Sequence, residues 1–263
     1  MKKYLLVVEN NIQSNFIYHF STFAIFVGEA LVFTFFFFLW SSIYSYGQQI
    51  GNYSLKEMIS YYLVLNFLFL TIKNNNTAWV VGDEIRLGEL NNNLLKPFSY
   101  FGYIFSSALG RLIYCFSVYS LLYVILFIVL KKYISVSSDI HTIILFLILA
   151  LQGFFIHFLV AYIIGLSAFW LGMIMGLNFA ASSIITFLEG GIIPLDLLPS
   201  FINKINDFLP FTYVIFTPIA LFTNRISFTW ELIIIPICWI VVLYLLSRII
   251  YNKGVKKYEG YGT

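Results

Sequence analysis

The stretch TIILFLILALQGFFIHFLVAYIIGLSAFWLGMIMGLNFAASSIITFL, residues 142–188, decides the fold class because it contains no Asp, Glu, Lys or Arg. As one straight helix it would be about 70 Å long, more than twice the roughly 30 Å hydrocarbon core of a bilayer. The stretch must therefore fold back on itself, and we expect the break around Trp170, Gly172 and Gly176. It predicts two membrane spans, residues 144–170 and 177–193.

The rest of the chain is almost as apolar. Of its 263 residues 60% are hydrophobic and only 10% are charged, whereas soluble domains carry about 25% charged residues. We therefore predict an all-α polytopic membrane protein with six transmembrane helices. Residues 1–20 lack the continuous apolar run of a cleavable signal peptide, so we expect the first span to be retained. The four further spans are residues 23–46, 58–81, 106–130 and 231–250.

The Lys and Arg residues predict the orientation of these spans. With both termini in the cytoplasm, ten of the fifteen Lys and Arg residues lie on the inner side and five on the outer side. Lys131 and Lys132 oppose this assignment locally, but the N-terminal lysines and the basic tail both favour it. The net charge of +3 requires no nucleic-acid partner, because attraction to anionic membrane lipid accounts for it.

Two segments outside the spans have their own patterns. Residues 1–20 place Leu5, Val8 and Ile12 at helical spacing, which predicts an N-terminal helix lying in the cytoplasmic interface; a disordered lead is the alternative. Residues 83–97, DEIRLGELNNNLLKP, alternate charged residues with Leu and Ile. They predict a short amphipathic helix that docks on a soluble surface, with a solvated loop as the alternative.

A third segment, residues 189–222, is broken by two glycines and several prolines into pieces too short to span. It is nevertheless too apolar to lie free in water. We expect short helices that re-enter the membrane from the outer side, where protein must shield their irregular backbone. A simple external loop is the alternative.

Taken together, these features resemble the permease subunits of ABC-2 type exporters. One motif is Glu84-Ile85-Arg86-Leu87-Gly88-Glu89-Leu90 followed by Leu94-Leu95-Lys96-Pro97, and the other is GGIIPLDLLP at residues 190–199. The resemblance extends over nearly the whole chain. Glu189 departs from it, because a small or neutral residue is more usual before the glycine pair.

The resemblance implies roles for both motifs. Residues 83–97 would be the cytoplasmic coupling helix between the second and third spans, seated in a groove of an ATPase. The residues implied are Asp83, Glu84, Ile85, Arg86, Gly88, Glu89, Leu94, Leu95, Lys96 and Pro97. Residues 189–222 would be the external re-entrant helices before the sixth span, which cap the translocation path. The cap residues implied are Gly190, Gly191, Pro194 and Pro199.

The chain contains no Gly-x4-Gly-Lys-Ser/Thr phosphate-binding motif, so energy must come from another chain or from an ion gradient. The resemblance implies two copies of a separate ABC ATPase, which would carry ATP and magnesium, while this chain has no cofactor and is not itself an enzyme. It also implies a second permease subunit, identical or homologous, so that a heterodimer is plausible. The expected location is the bacterial inner membrane, and the expected function is export.

Ionisable residues at membrane depth cost about 2.5–3.5 kcal/mol to insert, so each is a candidate functional residue. The polar candidates within predicted spans or next to them are Glu29, Lys73, Asn74, His157 and Glu189. We hypothesise that Glu29 pairs with Lys73 or a neighbouring Asn of the second span; a position among the lipid headgroups is the alternative. For His157 the ordinary interpretation is a hydrogen bond between packed helices.

Two other classes of protein fit the sequence less well. An ion-coupled secondary transporter more often has paired broken helices in both halves of the chain, whereas only the C-terminal half has such a segment here. A membrane-embedded enzyme needs a convergent nucleophile, base or metal set, but the three histidines and two cysteines lie in separate segments. The pattern therefore favours a transport subunit over either alternative.

Overall fold

The computed structural model describes residues 2–17, 19–46, 50–73, 76–95 and 97–258, without the side chains of residues 19 and 94. Within these ranges every named regular element is helical. A π-helical turn covers Phe69–Lys73, and 3-10 turns cover Leu195–Leu197 and Phe211–Tyr213. The α-helices are α1 (Lys2–Ile17), α2 (His19–Ser45), α3 (Leu55–Leu68), α4 (Thr77–Arg86), α5 (Leu90–Leu94), α6 (Tyr100–Val129), α7 (Ile140–Leu166), α8 (Ala168–Leu171), α9 (Met175–Leu188), α10 (Ser200–Asn206), α11 (Phe216–Phe222) and α12 (Glu231–Lys257).

Five stretches of the described chain are long and apolar enough to cross a bilayer, which makes this a multi-pass membrane protein. They are Phe20–Ser45, Leu55–Arg86, Tyr100–Val129, Ile140–Leu171 and Glu231–Lys257. The predicted span at residues 177–193 corresponds to α9, which has 14 residues and ends at Leu188. At about 1.5 Å per residue α9 is about 21 Å long, shorter than the hydrocarbon core. The predicted count of six spans is therefore not confirmed.

The long uncharged stretch folds back where the sequence indicated. It turns at Gly172, whose φ of 67° lies in the left-handed region that glycine adopts without strain. Ser167 ends α7 and Gly172 ends α8. Helix α9 starts three residues later, at Met175. Because α8 is only one turn long, α7 and α8 together form one span and α9 begins a separate element.

The second span forms the centre of the bundle. In α3 every residue from Met58 to Leu68 is buried, and the most apolar part of the Leu55–Arg86 stretch is 78% buried inside the protein. The corresponding part of α2 is 0% buried, so α2 lies at the periphery. Phe23, Phe35 and Phe38 face outward, whereas Trp40 is buried against Tyr62 of α3. Helix α7 packs against both α4 and α12. Any displacement of α4 therefore reaches a large part of the molecule.

One end of the bundle, which we call the termini end, carries α1, residues 83–95 and 97–99, the start of α6 and the end of α12. The Lys3 ammonium donates a hydrogen bond to the Pro97 carbonyl, and the hydroxyls of Tyr4 and Ser99 are 3.2 Å apart. The Tyr251 ring of α12 stacks on Tyr100, with centroids 5.8 Å apart. These contacts fasten the three elements together.

The opposite end, which we call the loop end, carries residues 50–54, 130–139 and 190–230. The Ser135 amide donates to the Ser60 hydroxyl at 2.7 Å, and the Ser137 amide donates to the Phe222 carbonyl at 2.9 Å. These hydrogen bonds join residues 130–139 to α3 and to α11.

The N-terminal segment is helical, as the sequence predicted, and it lies along α6. The Asn11 amide donates to the Ser107 hydroxyl at 2.8 Å. A Cβ on Gly110 would come within 2.7 Å of the Val8 carbonyl, so only glycine at this position permits the close approach of the two helices. No residue of α1 is fully buried, and Leu5 and Phe16 are largely exposed.

Candidate functional site

Residues 83–97 do not form one amphipathic helix, which corrects the prediction. The last turn of α4 contains Ile85 and ends at Arg86, and the chain then turns at Gly88, where φ is 80°, before the five-residue α5. The positive φ interrupts the helix because non-glycine residues rarely adopt it. Ile85 and Leu90 are buried, whereas Leu95 is 86% exposed. The segment is therefore anchored by two apolar side chains and leaves a third free at the surface.

Glu84 holds this segment to the next span. Its carboxylate accepts a hydrogen bond from the Tyr100 hydroxyl at 2.7 Å and another from the Asn93 amide at 3.0 Å. One side chain of α4 thus joins α5 and the start of α6. Hydrogen bonds to a charged acceptor are the stronger kind, about 1.5–3 kcal/mol each, so the three elements are expected to move together.

The outer surface of the segment is charged. Asp83 and Arg86 form an ion pair of 3.0 Å, with both side chains about half exposed, and Glu89 is exposed beside them. Such an exposed pair contributes only about 0–1 kcal/mol, so these charges are available to a partner. Pro97 is exposed, and its carbonyl oxygen accepts a hydrogen bond from the Lys3 ammonium. Lys96 and the side chain of Leu94 lie outside the described residues.

A second group of charges lies deep inside the bundle. The Lys73 ammonium is 2.8 Å from the Glu189 carboxylate and donates to the Thr186 hydroxyl at 2.7 Å. The Nδ1 atom of His157 is 3.9 Å from the other Glu189 oxygen. The Glu189 side chain is 0% exposed. Three of the polar candidates, separated by up to 116 positions in sequence, therefore meet at one point.

Local backbone irregularities bring these charges together. Lys73 is the last residue of the π-helical turn Phe69–Lys73. Such a turn is wider than an α-helical one and is frequent at functional sites. Glu189 follows the last residue of α9 and precedes Gly190, whose φ is 80°. Because α9 is too short to span the bilayer, the Glu189 carboxylate at its C-terminal end stays inside the bundle.

Protein groups satisfy the broken backbone that follows Glu189. The hydroxyl of Tyr61 donates to the Gly190 carbonyl, and that of Tyr62 donates to the Ile192 carbonyl, both at 2.7 Å. A Cβ on Gly190 would meet the Tyr61 hydroxyl at 2.7 Å, and one on Gly191 would meet the backbone of α9 at 2.8 Å. The glycine pair therefore permits close packing of this segment against α3 and α9. The remaining predicted cap residues, Pro194 and Pro199, lie just before the Leu195–Leu197 turn and α10.

A cavity of about 290 Å³ lies beside the buried ion pair. Apolar side chains of α4, α7 and α9, including Trp79 and Ile164, form part of its wall. Its polar lining residues are Lys73, Asn76, His157, Asn178, Ser182 and Thr186.

Glu29 belongs to a separate polar contact, which corrects the hypothesis of a Lys73 partner. Its carboxylate accepts from the Asn66 amide at 2.7 Å, and the Asn66 oxygen accepts from the Tyr123 hydroxyl. Asn66 lies seven positions before Lys73, about 10 Å along a helix, and Lys73 is already paired with Glu189. Of the neighbouring asparagines that were the other predicted partners of Glu29, Asn74 and Asn75 lie outside the described residues.

Sequence reasoning missed a cluster at the loop end. The Arg225 guanidinium lies 3.5 Å above the Tyr53 ring and contacts the carboxylates of Asp196 and Glu57 at 3.2 and 3.4 Å. Tyr53 donates to Asp196 at 2.8 Å, and burial followed by the Asp196 charge raises the pKa of Tyr53, so its hydroxyl keeps the donated proton. Partners 143 positions apart leave no local sequence signal.

None of these groups is a metal site. Within the described ranges no three His, Cys, Asp or Glu side chains come together in an arrangement that would hold a metal ion. The polar clusters consist of ion pairs and of hydrogen bonds between helices. These contacts join helices that are far apart in sequence.

Comparison with known families agrees with this architecture. Residues 30–262 match the model of a family described as ABC-2 family transporter protein, and the matched region contains both residues 83–97 and the segment after α9. No curated protein matches the chain. Its five candidate spans agree with a membrane component of a transporter, that is, a permease. The chain belongs to the ABC-2 family of transporter proteins.

Proposed function

We propose that this chain is the permease subunit of an ATP-driven ABC-2 exporter. Two copies of a separate ABC ATPase bind ATP and magnesium and act on residues 83–97. The observation that carries the proposal is the exposed, charged surface of that segment at the termini end, together with its attachment through Glu84 to α6. Family membership supports a partner of this kind, because ABC-2 permeases typically work with ATPases.

The proposed coupling is mechanical. When the ATPases close on ATP, they displace residues 83–97, and Glu84 transmits that displacement to α4 and α6 at once. Helix α4 in turn packs closely on α7, where a Cβ on Gly165 would lie 2.9 Å from the Ala78 carbonyl. Rigid-body tilting of packed helices is a common way to convert such a push into an opening.

A second permease subunit, identical or homologous, supplies the other half of the translocation path. Residues 189–222 cap that path from the outer side, in agreement with their short helices and with the support from Tyr61 and Tyr62. Helix α1, with exposed apolar side chains and no buried residue, lies in the cytoplasmic interface of a bacterial inner membrane.

Co-purification tests the partner directly. The tagged chain, expressed with the ABC ATPases of its source cell, is expected to capture an ATPase and to transport a compound only with hydrolysable ATP. Absence of any ATPase, combined with proton-driven transport by the isolated chain, would reject the proposal in favour of an ion-coupled carrier. The mass of the purified complex shows whether it contains two copies of this chain, a homodimer, or one copy with a different permease, a heterodimer.

Charge reversal in the coupling segment gives a sharper prediction. The double substitution Arg86→Glu with Lys96→Glu is expected to weaken ATPase association at least about tenfold. An ATPase surface complementary to these two cations would face two carboxylates in the variant, and like charges across an interface are strongly unfavourable. The bundle itself should remain folded, since the exposed Arg86–Asp83 pair contributes little. Pull-down of the ATPase and thermal unfolding measure the two effects.

The matched control reverses two lysines at the opposite end, Lys131→Glu with Lys132→Glu, both of which are exposed. ATPase capture by this control should equal that of the wild type. Equal capture by the Arg86/Lys96 variant, or equal loss by the control, would contradict the coupling role of residues 83–97.

Cysteine labelling tests the proposed orientation. In a background with Cys115→Ala and Cys238→Ala, a cysteine introduced by Asn92→Cys, an exposed position of α5, should react with a membrane-impermeant maleimide only after cells are opened. Ser138→Cys, exposed at the loop end, should react in intact cells. The reverse pattern would place the coupling segment outside the cell and overturn the mechanism.

A further inference from the structure

The cavity beside the buried ion pair has an asymmetric distribution of charge. The Lys73 side chain lines the cavity and is 15% exposed, and His157, 16% exposed, lines it as well. Glu189 neutralises Lys73 from behind, because its side chain is 0% exposed and is not part of the cavity wall. A ligand in the cavity therefore meets the cation and not the anion. This arrangement favours a negatively charged group.

Donors on the cavity wall also suit an anion. An ammonium group carries three N–H donors, and among the described residues Thr186 and Glu189 accept two of them. The remaining neighbour among those residues is the Phe69 ring, whose centroid is 4.7 Å from the ammonium group, so the third N–H has no oxygen acceptor of its own there and can bond a ligand oxygen. The side-chain amides of Asn76 and Asn178 and the Ser182 hydroxyl line the same space and carry further donors. An anionic oxygen placed there would replace water with several protein donors.

The size and surroundings of the cavity indicate an amphiphile. Its volume of about 290 Å³ is at the lower end for small-molecule sites, enough for a headgroup and a short length of chain. Trp79 lines the cavity and is 40% exposed, so the cavity borders the outer surface of the bundle. The neighbouring surface of α9 is apolar, with Phe179 76% exposed and Ile184 61% exposed. An apolar tail can lie along that surface.

We propose that this cavity binds the anionic headgroup of an amphiphile, a carboxylate or a phosphate monoester, with Lys73 as its principal contact. The proposal rests on the export function proposed above, and it assigns the substrate class of that exporter. Glu189 then serves as the resident counterion, which keeps Lys73 neutralised while the cavity is empty. Thr186 acts as a positioning residue, because its hydroxyl orients the ammonium group.

Photolabelling of the isolated chain tests the proposal. The chain is placed in phosphatidylcholine nanodiscs and exposed to four diazirine-bearing alkyl probes of equal length that end in a carboxylate, a phosphate, an alcohol or an amine. We expect one or both anionic probes to label peptides containing Trp79, Val160 or Ser182 about tenfold more than the alcohol does, the factor that corresponds to one hydrogen bond to a charged group. Which anionic probe labels more strongly identifies the headgroup. Equal labelling by the alcohol or the amine would overturn the proposal.

Variants separate the charge of Lys73 from its packing. The double variant Lys73→Gln with Glu189→Gln leaves no unpaired charge, and its labelling by the anionic probes should fall to the level of the alcohol. Lys73→Arg should keep the anionic preference, and Lys132→Gln, exposed at the loop end, should be unchanged. An unaltered preference in the double variant, or loss of the preference in Lys73→Arg with its alcohol labelling intact, contradicts the role of the charge.

The two proposals can fail independently. No ATPase is present in the photolabelling experiment, so a chain that captures an ATPase but labels equally with all four probes would retain the proposed function and lose its substrate class. Selective labelling without ATPase capture would retain the binding site and reject the coupling mechanism.

Discussion

Lys73→Gln is expected to lower the free energy of unfolding of the bundle by about 3–5 kcal/mol, the usual effect of removing one partner of a buried ion pair. The reason is that Glu189, with a side chain that is 0% exposed, would lose the ammonium group 2.8 Å away. Thermal or denaturant unfolding in detergent measures the loss. A shortage of folded, monodisperse protein would be its first sign.

The double variant distinguishes the charge from the shape of the site. With both Lys73→Gln and Glu189→Gln, two neutral amides replace the pair and no buried charge lacks a partner, so most of the stability should return. Lys56→Gln, at an exposed position near the start of α3, is the matched control and should leave stability unchanged. If the single variant is as stable as the wild type, or the double variant as unstable as the single one, the pair does not hold the bundle together.

Gly165→Leu is expected to have the second largest effect, on coupling as well as on stability. An ideal Cβ on Gly165 would lie 2.7 Å from the Val81 Cβ atom and 2.9 Å from the Ala78 carbonyl oxygen. Because one of these atoms is backbone, α4 must move away from α7. Overpacking of this kind costs about 1–3 kcal/mol. Since α4 leads directly into residues 83–97, the ATP hydrolysed per molecule transported should rise sharply.

Gly28→Leu is the control for this prediction. A Cβ at Gly28, in the peripheral helix α2, meets nothing within 4 Å, so the added side chain should be accommodated without a shift. The two variants are compared by thermal unfolding and by transport per ATP in proteoliposomes. Equal behaviour of the two would mean that contact between α4 and α7 does not transmit the movement.

Most of the membrane spans could be predicted from local sequence patterns. The stretches 23–46, 106–130 and 231–250 correspond to α2, α6 and α12, and the break at Gly172 was also expected. Each depends on apolar length and on the conformational freedom of a glycine, which are local properties of a sequence.

The pairing of charges in the candidate site could not be predicted from local sequence patterns. Lys73, His157 and Glu189 were each recognised as candidates, because an ionisable residue at membrane depth is conspicuous in sequence. Their meeting was not predicted, and Glu29 contacts Asn66 and not the predicted Lys73. The pairing depends on the π-helical turn before Lys73 and on the early end of α9, neither of which has a sequence signature that could be recognised in advance.

Because hydrocarbon imposes length and apolarity on each span separately, the amino-acid pattern alone indicates a helical membrane protein and the position of most of its spans. The same pattern carries the resemblance to an ABC-2 permease. The folded structure was needed to show which buried charges pair, that Glu84 joins α4, α5 and α6, and that Arg225 fastens the loop end. These contacts depend on the rotation and depth of each helix relative to its neighbours. Packing between residues far apart in sequence sets both.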